Sequence, residues 1–144
     1  MSRLPTLSPY YRVSAKALIF DGAGRLLVVK DENGEYEMPG GGWEYDESYE
    51  DCLRRELYEE IRAEVKSIGQ PEIVWRDHEG GTARLKVAAY VTLASQKLTA
   101  VGDDDITELA AVRFVTKDEF LALPFQESEC GIIHCADKIW NSIR

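Results

Sequence analysis

The sequence has few cysteines, and their number does not suit a disulfide framework. It holds three, Cys52, Cys130 and Cys135, among 144 residues, and this odd count fits a reducing compartment. A zinc site built on Cys130, His134 and Cys135 would lack a nearby fourth ligand, and structural zinc sites usually use four. We therefore expect these residues to pack as small buried side chains of a C-terminal helix.

Long apolar segments are also missing. No charge-free apolar run has the length that a bilayer-spanning helix needs, and the start, MSRLPTLSPYYR, lacks the apolar core of a secretory signal. The sequence shows no internal repeat, low-complexity tract or linker, and its length suits one hydrophobic core. We expect a cytoplasmic protein that does not associate with membranes and folds as one domain over residues 1–144.

Positive charge is scarce as well. The chain has 17 Lys and Arg against 26 Asp and Glu, which gives a formal net charge of -9. Because affinity for duplex nucleic acid comes largely from cationic side chains on phosphates, this balance argues against a DNA- or RNA-binding protein. A phosphorylated small molecule remains compatible if a cation lies between it and the carboxylates.

Apolar and β-branched segments predict a mixed sheet with inserted helices. RVSAKALIFD and LLVVK flank the turn signal DGAGR and predict a hairpin, and the residues at 39–42 predict a second turn. Two long segments around DHEGG predict a pair of strands, and LAAVRFV predicts a later one. TKDEFLAL predicts a short helix capped by Thr116, and ESECGIIHCADKIWNSI a closing helix. This order indicates an α/β or α+β fold.

The most distinctive segment is an acidic helix predicted from Ser48 to about Arg62, with Asp46 or Ser48 as its N-cap. Glu56, Glu59 and Glu60 fall within an arc of roughly 100° because they are spaced i, i+3 and i+4. An ordinary solvated face, with nearby arginines offsetting the charge, is one explanation. The preceding glycine-rich turn favours another, in which the carboxylates and backbone carbonyls bind a hard cation such as Mg²⁺.

The spacing of these residues resembles the Nudix box, G-x5-E-x7-R-E-U-x-E-E-x-G-U, where U is a bulky aliphatic residue. Gly41, Glu47 and the segment RELYEE at 55–60 match it at seven of nine defined positions. Arg62 replaces the final glycine and Ala63 the last aliphatic residue. The resemblance implies an α/β/α sandwich with a mixed sheet. Because Arg adopts a left-handed conformation only at some cost, we expect the helix to end differently here.

The resemblance also implies roles for the matching residues. Glu56, Glu59 and Glu60 would hold Mg²⁺, for which Mn²⁺ could substitute, with the carbonyl of Gly40 or Gly41 as a further ligand. Arg55 and Glu47 would form an internal ion pair, while Asp51 and Glu59 are ordinary intrahelical alternatives for Arg55. The general base stays open between Glu56 and a carboxylate outside the helix, for which Glu108 is a candidate.

The implied reaction is hydrolysis of a pyrophosphate bond in a nucleoside diphosphate derivative, with house-cleaning of (d)NTPs as one form. The alternative is a Nudix-fold protein that binds a nucleotide or a partner without hydrolysing it. Family members are often dimers, so a homodimer is an expected assembly. For substrate binding we select Arg76, Arg84 and Lys16, which with Arg12 and Lys86 lie on or near predicted strands.

Overall fold

The computed structural model describes residues 10–95 and 111–142. Within these ranges the strands are Arg12–Leu18 (β1), Leu26–Lys30 (β2), Tyr36–Glu37 (β3), Gly40–Gly42 (β4), Val65–Glu79 (β5), Thr82–Leu93 (β6) and Val112–Val115 (β7). The α-helices are Tyr49–Ile61 (α1), Lys117–Leu121 (α2) and Ala136–Asn141 (α3), and a 3-10 helix, Cys130–Cys135, precedes α3.

The strands form two sheets. In the four-stranded sheet the order is β4-β1-β6-β5, and β1 runs parallel to β6 but antiparallel to β4. The other sheet has the order β3-β2-β7 and is antiparallel throughout. The long pair β5 and β6 is antiparallel, as their sequences predict. The mixed sheet of an α+β fold is therefore confirmed.

Alternation of side chains along β1 separates two apolar layers. Ala15 and Ala17 pack in one cluster with Leu53 and Leu57 of α1, whereas Leu18 belongs to a second cluster on the other face. That second cluster includes buried residues of α2, the 3-10 helix and α3: Phe120, Ile132, Ala136 and Ile139. Helices thus cover both faces of the sheets, and within the described ranges α1 is the one helix on the side of the acidic site.

The prediction that β1 and β2 pair with each other as a hairpin is wrong. Its turn does form, because Asp21 Oδ1 accepts hydrogen bonds from the backbone N–H groups of Ala23 and Arg25, both at 2.9 Å. A single bridge between Phe20 and Leu26 joins the two segments. The strands then diverge, and each pairs within a different sheet.

The residues at 39–42 also differ from the prediction of a turn, since Gly40–Gly42 is strand β4 paired with β1. Gly40 has φ +127°, and a Cβ built there would lie 2.1 Å from the carbonyl oxygen of Ala15. Only a glycine allows this approach of two backbones. The glycine-rich segment is consequently held against the sheet edge and directed toward α1.

The C-terminal segment is a 3-10 helix followed by a short α-helix, in place of one continuous helix. Cys130 and His134 are exposed and Cys135 is only partly buried, so the predicted burial of these residues is wrong. Thr116 caps α2 as predicted, with Glu119 completing a capping box. In the part of the chain that the structure describes, no helix has the length and apolar character needed to cross a membrane.

Candidate active site

Helix α1 has well-defined ends on both sides of the acidic residues. Ser48 is the N-cap, and its hydroxyl accepts a hydrogen bond from the Asp51 N–H at 3.0 Å. After the helix, Arg62 adopts the left-handed conformation with φ 53° and ψ 28°. The Arg62 N–H donates to the Tyr58 carbonyl at 2.9 Å, which is the bond of the αL capping motif, and the Ala63 N–H donates to the Leu57 carbonyl at 3.2 Å.

The prediction that the helix ends differently because of Arg62 is therefore wrong. Arg62 takes the conformation usually left to glycine, and it is the one non-glycine residue with positive φ in the described ranges. Its guanidinium lies 4.9 Å from the centre of the Tyr58 ring and donates to the Tyr58 carbonyl at 3.0 Å. These contacts offset part of the steric cost of the left-handed backbone.

Arg55 connects the helix to the loop that precedes it. Its Nε and Nη2 donate to the two carboxylate oxygens of Glu47 at 2.9 and 2.7 Å, and Nη2 also donates to the Gly42 carbonyl at 3.1 Å. Nη1 donates to Glu56 at 2.9 Å and to Glu59 at 3.3 Å. Of the alternatives open from the sequence, Glu47 and Glu59 are both partners.

The bidentate pair with Glu47 has a clear electrostatic signature. Hydrogen bonds from Arg55 and from the Glu44 N–H lower the pKa of Glu47 to about 2. Hydrogen bonding to Glu47 in turn raises the pKa of Arg55, with further contributions from Glu56. Both groups stay ionised at neutral pH, so the pair fixes the position of Glu47 against α1.

Glu56 lies against the glycine-rich strand. A Cβ built on Gly41 would lie 2.4 Å from the carboxyl carbon of Glu56, so the carboxylate occupies the space that any other side chain would need. Burial raises the pKa of Glu56, although its contact with Arg55 opposes that change. The carboxylate is thus held next to a backbone without a side chain, in a partly desolvated position.

Glu60 and Glu59 occupy different environments. The Gly40 N–H donates to Glu60 Oε1 at 3.2 Å, and burial raises the pKa of Glu60 to about 8 against the opposing charge of Lys16. The Glu59 side chain is 57% exposed, and its carboxylate lies 3.3 Å from the Arg55 guanidinium at the helix surface. Glu56 and Glu60 are partly buried and lie at the edge of the core.

The donor chemistry of the site fits a hard divalent cation. Within residues 10–95 and 111–142, no three His, Cys, Asp or Glu side chains are already clustered as metal ligands. The site instead combines three carboxylates on one helix face with the backbone of Gly40 and Gly41, an all-oxygen set of the kind Mg²⁺ prefers. Because Gly41 has no Cβ, the Glu56 carboxylate lies directly against the backbone of the glycine-rich strand.

Lys16 lies inside the protein, with a side chain that is 5% exposed. Its Nζ donates to the Met38 carbonyl at 3.0 Å and lies 3.2 Å from Glu129 and 3.5 Å from Glu37. Burial disfavours its charge, but Glu129, Glu37 and Glu60 outweigh that effect and raise its pKa. This placement argues against the direct substrate contact that we predicted for Lys16.

Glu129 is a residue of this network that the sequence did not reveal. It is fully buried, accepts a hydrogen bond from the Met38 N–H at 2.8 Å and pairs with Lys86 at 2.8 Å. Burial lowers the pKa of Lys86, and Lys16 adds repulsion, while Glu129 opposes both. Two buried lysines require a buried anion, but the sequence alone does not show that Lys16 and Lys86 face inward.

The other predicted substrate contacts are dispersed. Arg76 is exposed and donates to the Tyr11 hydroxyl at 3.2 Å, while the partly buried Arg84 lies 3.5 Å from Glu79. Their contact with substrate stays a prediction. Glu108, the candidate base or ligand, lies outside the described residues.

Comparisons with known proteins show the family of this chain. The model of the NUDIX domain family matches residues 10–133. A MutT-like protein from Streptomyces ambofaciens is 34% identical over 113 residues, which cover 74% of this chain and 73% of that protein.

Solved structures share the fold at low sequence identity. A UDP-X diphosphatase superposes with a TM-score of 0.72 at 16% identity, covering 96% of this chain and 67% of that one. The NUDIX domain of Shewanella oneidensis NrtR, complexed with ADP ribose, gives 0.68 at 18% identity and covers 94% and 92%. With a family match over most of its length, this chain belongs to the NUDIX domain family.

Proposed function

We propose that the protein hydrolyses a pyrophosphate bond in a nucleoside diphosphate derivative with Mg²⁺ as its cofactor. The observation that carries this proposal is the approach of Glu56 to Gly41 and of Glu60 to Gly40, because it joins acidic side chains to a backbone free of side chains. A cation and phosphate oxygens need this combination of oxygen ligands and open space.

Glu56, Glu59 and Glu60 would hold the ion, with the carbonyl of Gly40 or Gly41 as a further ligand. Bound Mg²⁺ would neutralise the charge of the substrate phosphates and lower the pKa of the attacking water. Arg55 keeps Glu56 and Glu59 from repelling each other and fixes the loop through Glu47. These contacts set the carboxylates in place before substrate arrives.

Glu56 is one candidate for the group that accepts the proton of the attacking water. Glu108 is the second candidate for this role. The similarity of the fold to a UDP-X diphosphatase and to a domain complexed with ADP ribose guides the choice of compounds for a test.

The setting of the reaction follows from the chemistry of the chain. All three cysteines are free thiols, which supports action in the reducing cytosol. The net charge of -9 supports a small anionic substrate reached through a cation, without a role for duplex nucleic acid. House-cleaning of (d)NTPs is one form that this activity would take.

The test is product identification after incubation with Mg²⁺ and a panel of compounds. The panel holds (d)NTPs, oxidised dGTP, ADP-ribose, nucleotide sugars, NADH, diadenosine polyphosphates and coenzyme A. Glu60→Gln is assayed in parallel with Glu50→Gln, which changes an exposed carboxylate in the first turn of the same helix. We expect cleavage of a pyrophosphate bond that Glu60→Gln abolishes and Glu50→Gln retains.

Equal activity of the two variants would remove Glu60 from the metal site. A folded wild-type protein that binds Mg²⁺ but cleaves none of the compounds would favour the alternative, in which the domain binds a nucleotide without hydrolysing it.

A further inference from the structure

Met38 has both of its backbone polar groups bonded to buried charges. Its N–H donates to Glu129 Oε2 at 2.8 Å, and its carbonyl accepts from Lys16 Nζ at 3.0 Å. Lys16 and Glu129 also pair with each other at 3.2 Å. One peptide segment is therefore enclosed by an ion pair whose members are almost fully buried.

This segment leads directly into the glycine-rich strand. The next carbonyl, that of Pro39, accepts from the Ala17 N–H at 2.9 Å, and the Gly40 N–H donates to Glu60. Lys16 is also the register partner of Gly40 in the sheet. The position of the Gly40 backbone relative to Glu60 thus depends on contacts that begin at Met38.

We infer that Lys16 and Glu129 are positioning residues for the proposed active site, which they serve by clamping the Met38 backbone and thereby setting Gly40 and Gly41 against Glu60 and Glu56. They act through the backbone and do not touch substrate. The inference rests on the proposed function for its consequence in catalysis, whereas the clamp itself is a property of the metal-free protein.

Lys86 supplies a matched control. It pairs with the same Glu129 at 2.8 Å and is as deeply buried as Lys16, but its hydrogen bond goes to the Glu129 carboxylate and not to Met38. Lys16→Met and Lys86→Met each remove one buried cation and leave Glu129 with the other lysine. The two variants differ in the contact with Met38 and in the charge that Lys16 places near Glu37 and Glu60.

The direction of the change in metal affinity distinguishes a positioning role from a purely electrostatic effect. Removing a cation near acidic ligands strengthens the binding of a metal ion if charge alone matters. Displacing the glycine backbone weakens it, and loss of a residue that orients ligands typically reduces metal affinity about 10- to 100-fold. We expect Lys16→Met to weaken Mn²⁺ binding at least about tenfold and Lys86→Met to leave it unchanged or slightly stronger.

The experiment measures Mn²⁺ affinity by electron paramagnetic resonance and, without metal, the amide shifts of Gly40 and Gly41 by NMR. We expect these shifts to change in Lys16→Met and to stay near the wild-type values in Lys86→Met. Unchanged or tighter Mn²⁺ binding in Lys16→Met, with unchanged glycine amides, would overturn the inference. Equal weakening in both lysine variants would overturn it too.

Two further measurements keep the inference testable if Lys16→Met does not fold. Glu129→Gln changes the other side of the clamp and is expected to shift the same glycine amides. In the wild type, the Met38 amide is expected to exchange with solvent as slowly as the core, and rapid exchange would contradict the clamp. If the wild type binds no Mn²⁺, the proposed function fails, while the metal-free amide shifts still decide on the clamp.

Discussion

Gly41 and Glu56 are so close that a Cβ at residue 41 would lie 2.4 Å from the carboxyl carbon of Glu56. Real side chains do not tolerate such a contact, so the two positions restrict each other. A Cβ added at Gly42, the next residue, would meet no atom within 4 Å. Two adjacent glycines therefore differ sharply in what a methyl group would do.

We expect Gly41→Ala to displace the Glu56 carboxylate and to lower both Mn²⁺ affinity and activity by about 10- to 100-fold, as is typical when a ligand loses its orientation. Gly42→Ala is the control and should retain both within about twofold, because surface changes without new contacts are nearly neutral. Titration with Mn²⁺ and the rate on the identified substrate provide the readouts. Similar losses in both variants would show that the contact with Glu56 is irrelevant.

Arg62 provides a prediction about stability. Arg62→Gly relieves the left-handed backbone, which costs about 1 to 2 kcal/mol in other residues, whereas Arg62→Ala retains that cost and loses the contacts with Tyr58. Part of this gain in stability is lost because glycine raises the conformational entropy of the unfolded chain. We expect Arg62→Gly to exceed Arg62→Ala in free energy of unfolding by about 1 kcal/mol, measured by urea denaturation. An Arg62→Ala protein as stable as Arg62→Gly would contradict a strained backbone at this position.

Glu60 predicts a pH dependence for the metal-free protein. Its pKa rises to about 8 on folding, so between its ordinary value and pH 8 the folded state binds more protons than the unfolded state. Stability therefore falls as pH rises through this window, by up to about 1.4 kcal/mol for each pKa unit that is realised. Glu60→Gln cannot titrate and keeps an acceptor for the Gly40 N–H.

In EDTA, we expect the thermal midpoint of Glu60→Gln to exceed that of the wild type at pH 8, and the difference to disappear by about pH 4.5. Thermal denaturation of both proteins across this range measures the effect. Glu50→Gln, on the exposed face of the same helix, should show no such trend. A wild-type advantage that grows with pH would mean that Glu60 is stabilised as an anion in the folded protein.

Much of the fold was predictable because its strands and helices have local signals. The turn residues around Gly80, the cap at Ser48 and the apolar stripe of α1 each constrain a few neighbouring residues. The pairing of β1 and β2 was not predictable in this way. Both a hairpin and two diverging strands satisfy the same turn at Asp21, and the choice depends on partners far along the chain.

Local sequence signals also decide which features of the site could be predicted. The resemblance to the Nudix box implies the ion pair of Arg55 with Glu47, and the two side chains do pair. Glu129 could not be found, because nothing local distinguishes it from the neighbouring Glu127. Its role depends on Lys16 and Lys86, two lysines on different strands whose buried side chains both pair with it.

The bond between Met38 and Glu129 spans 91 positions of the chain. During translation the glycine-rich strand and α1 are synthesised long before Glu129, the residue that holds Met38 at the start of this strand. Until then, Lys16 and Lys86 have no Glu129 to pair with, and burying them is unfavourable. The segment that holds α1 can thus form its helix early, but the final arrangement of the site awaits synthesis of the segment that carries Glu129.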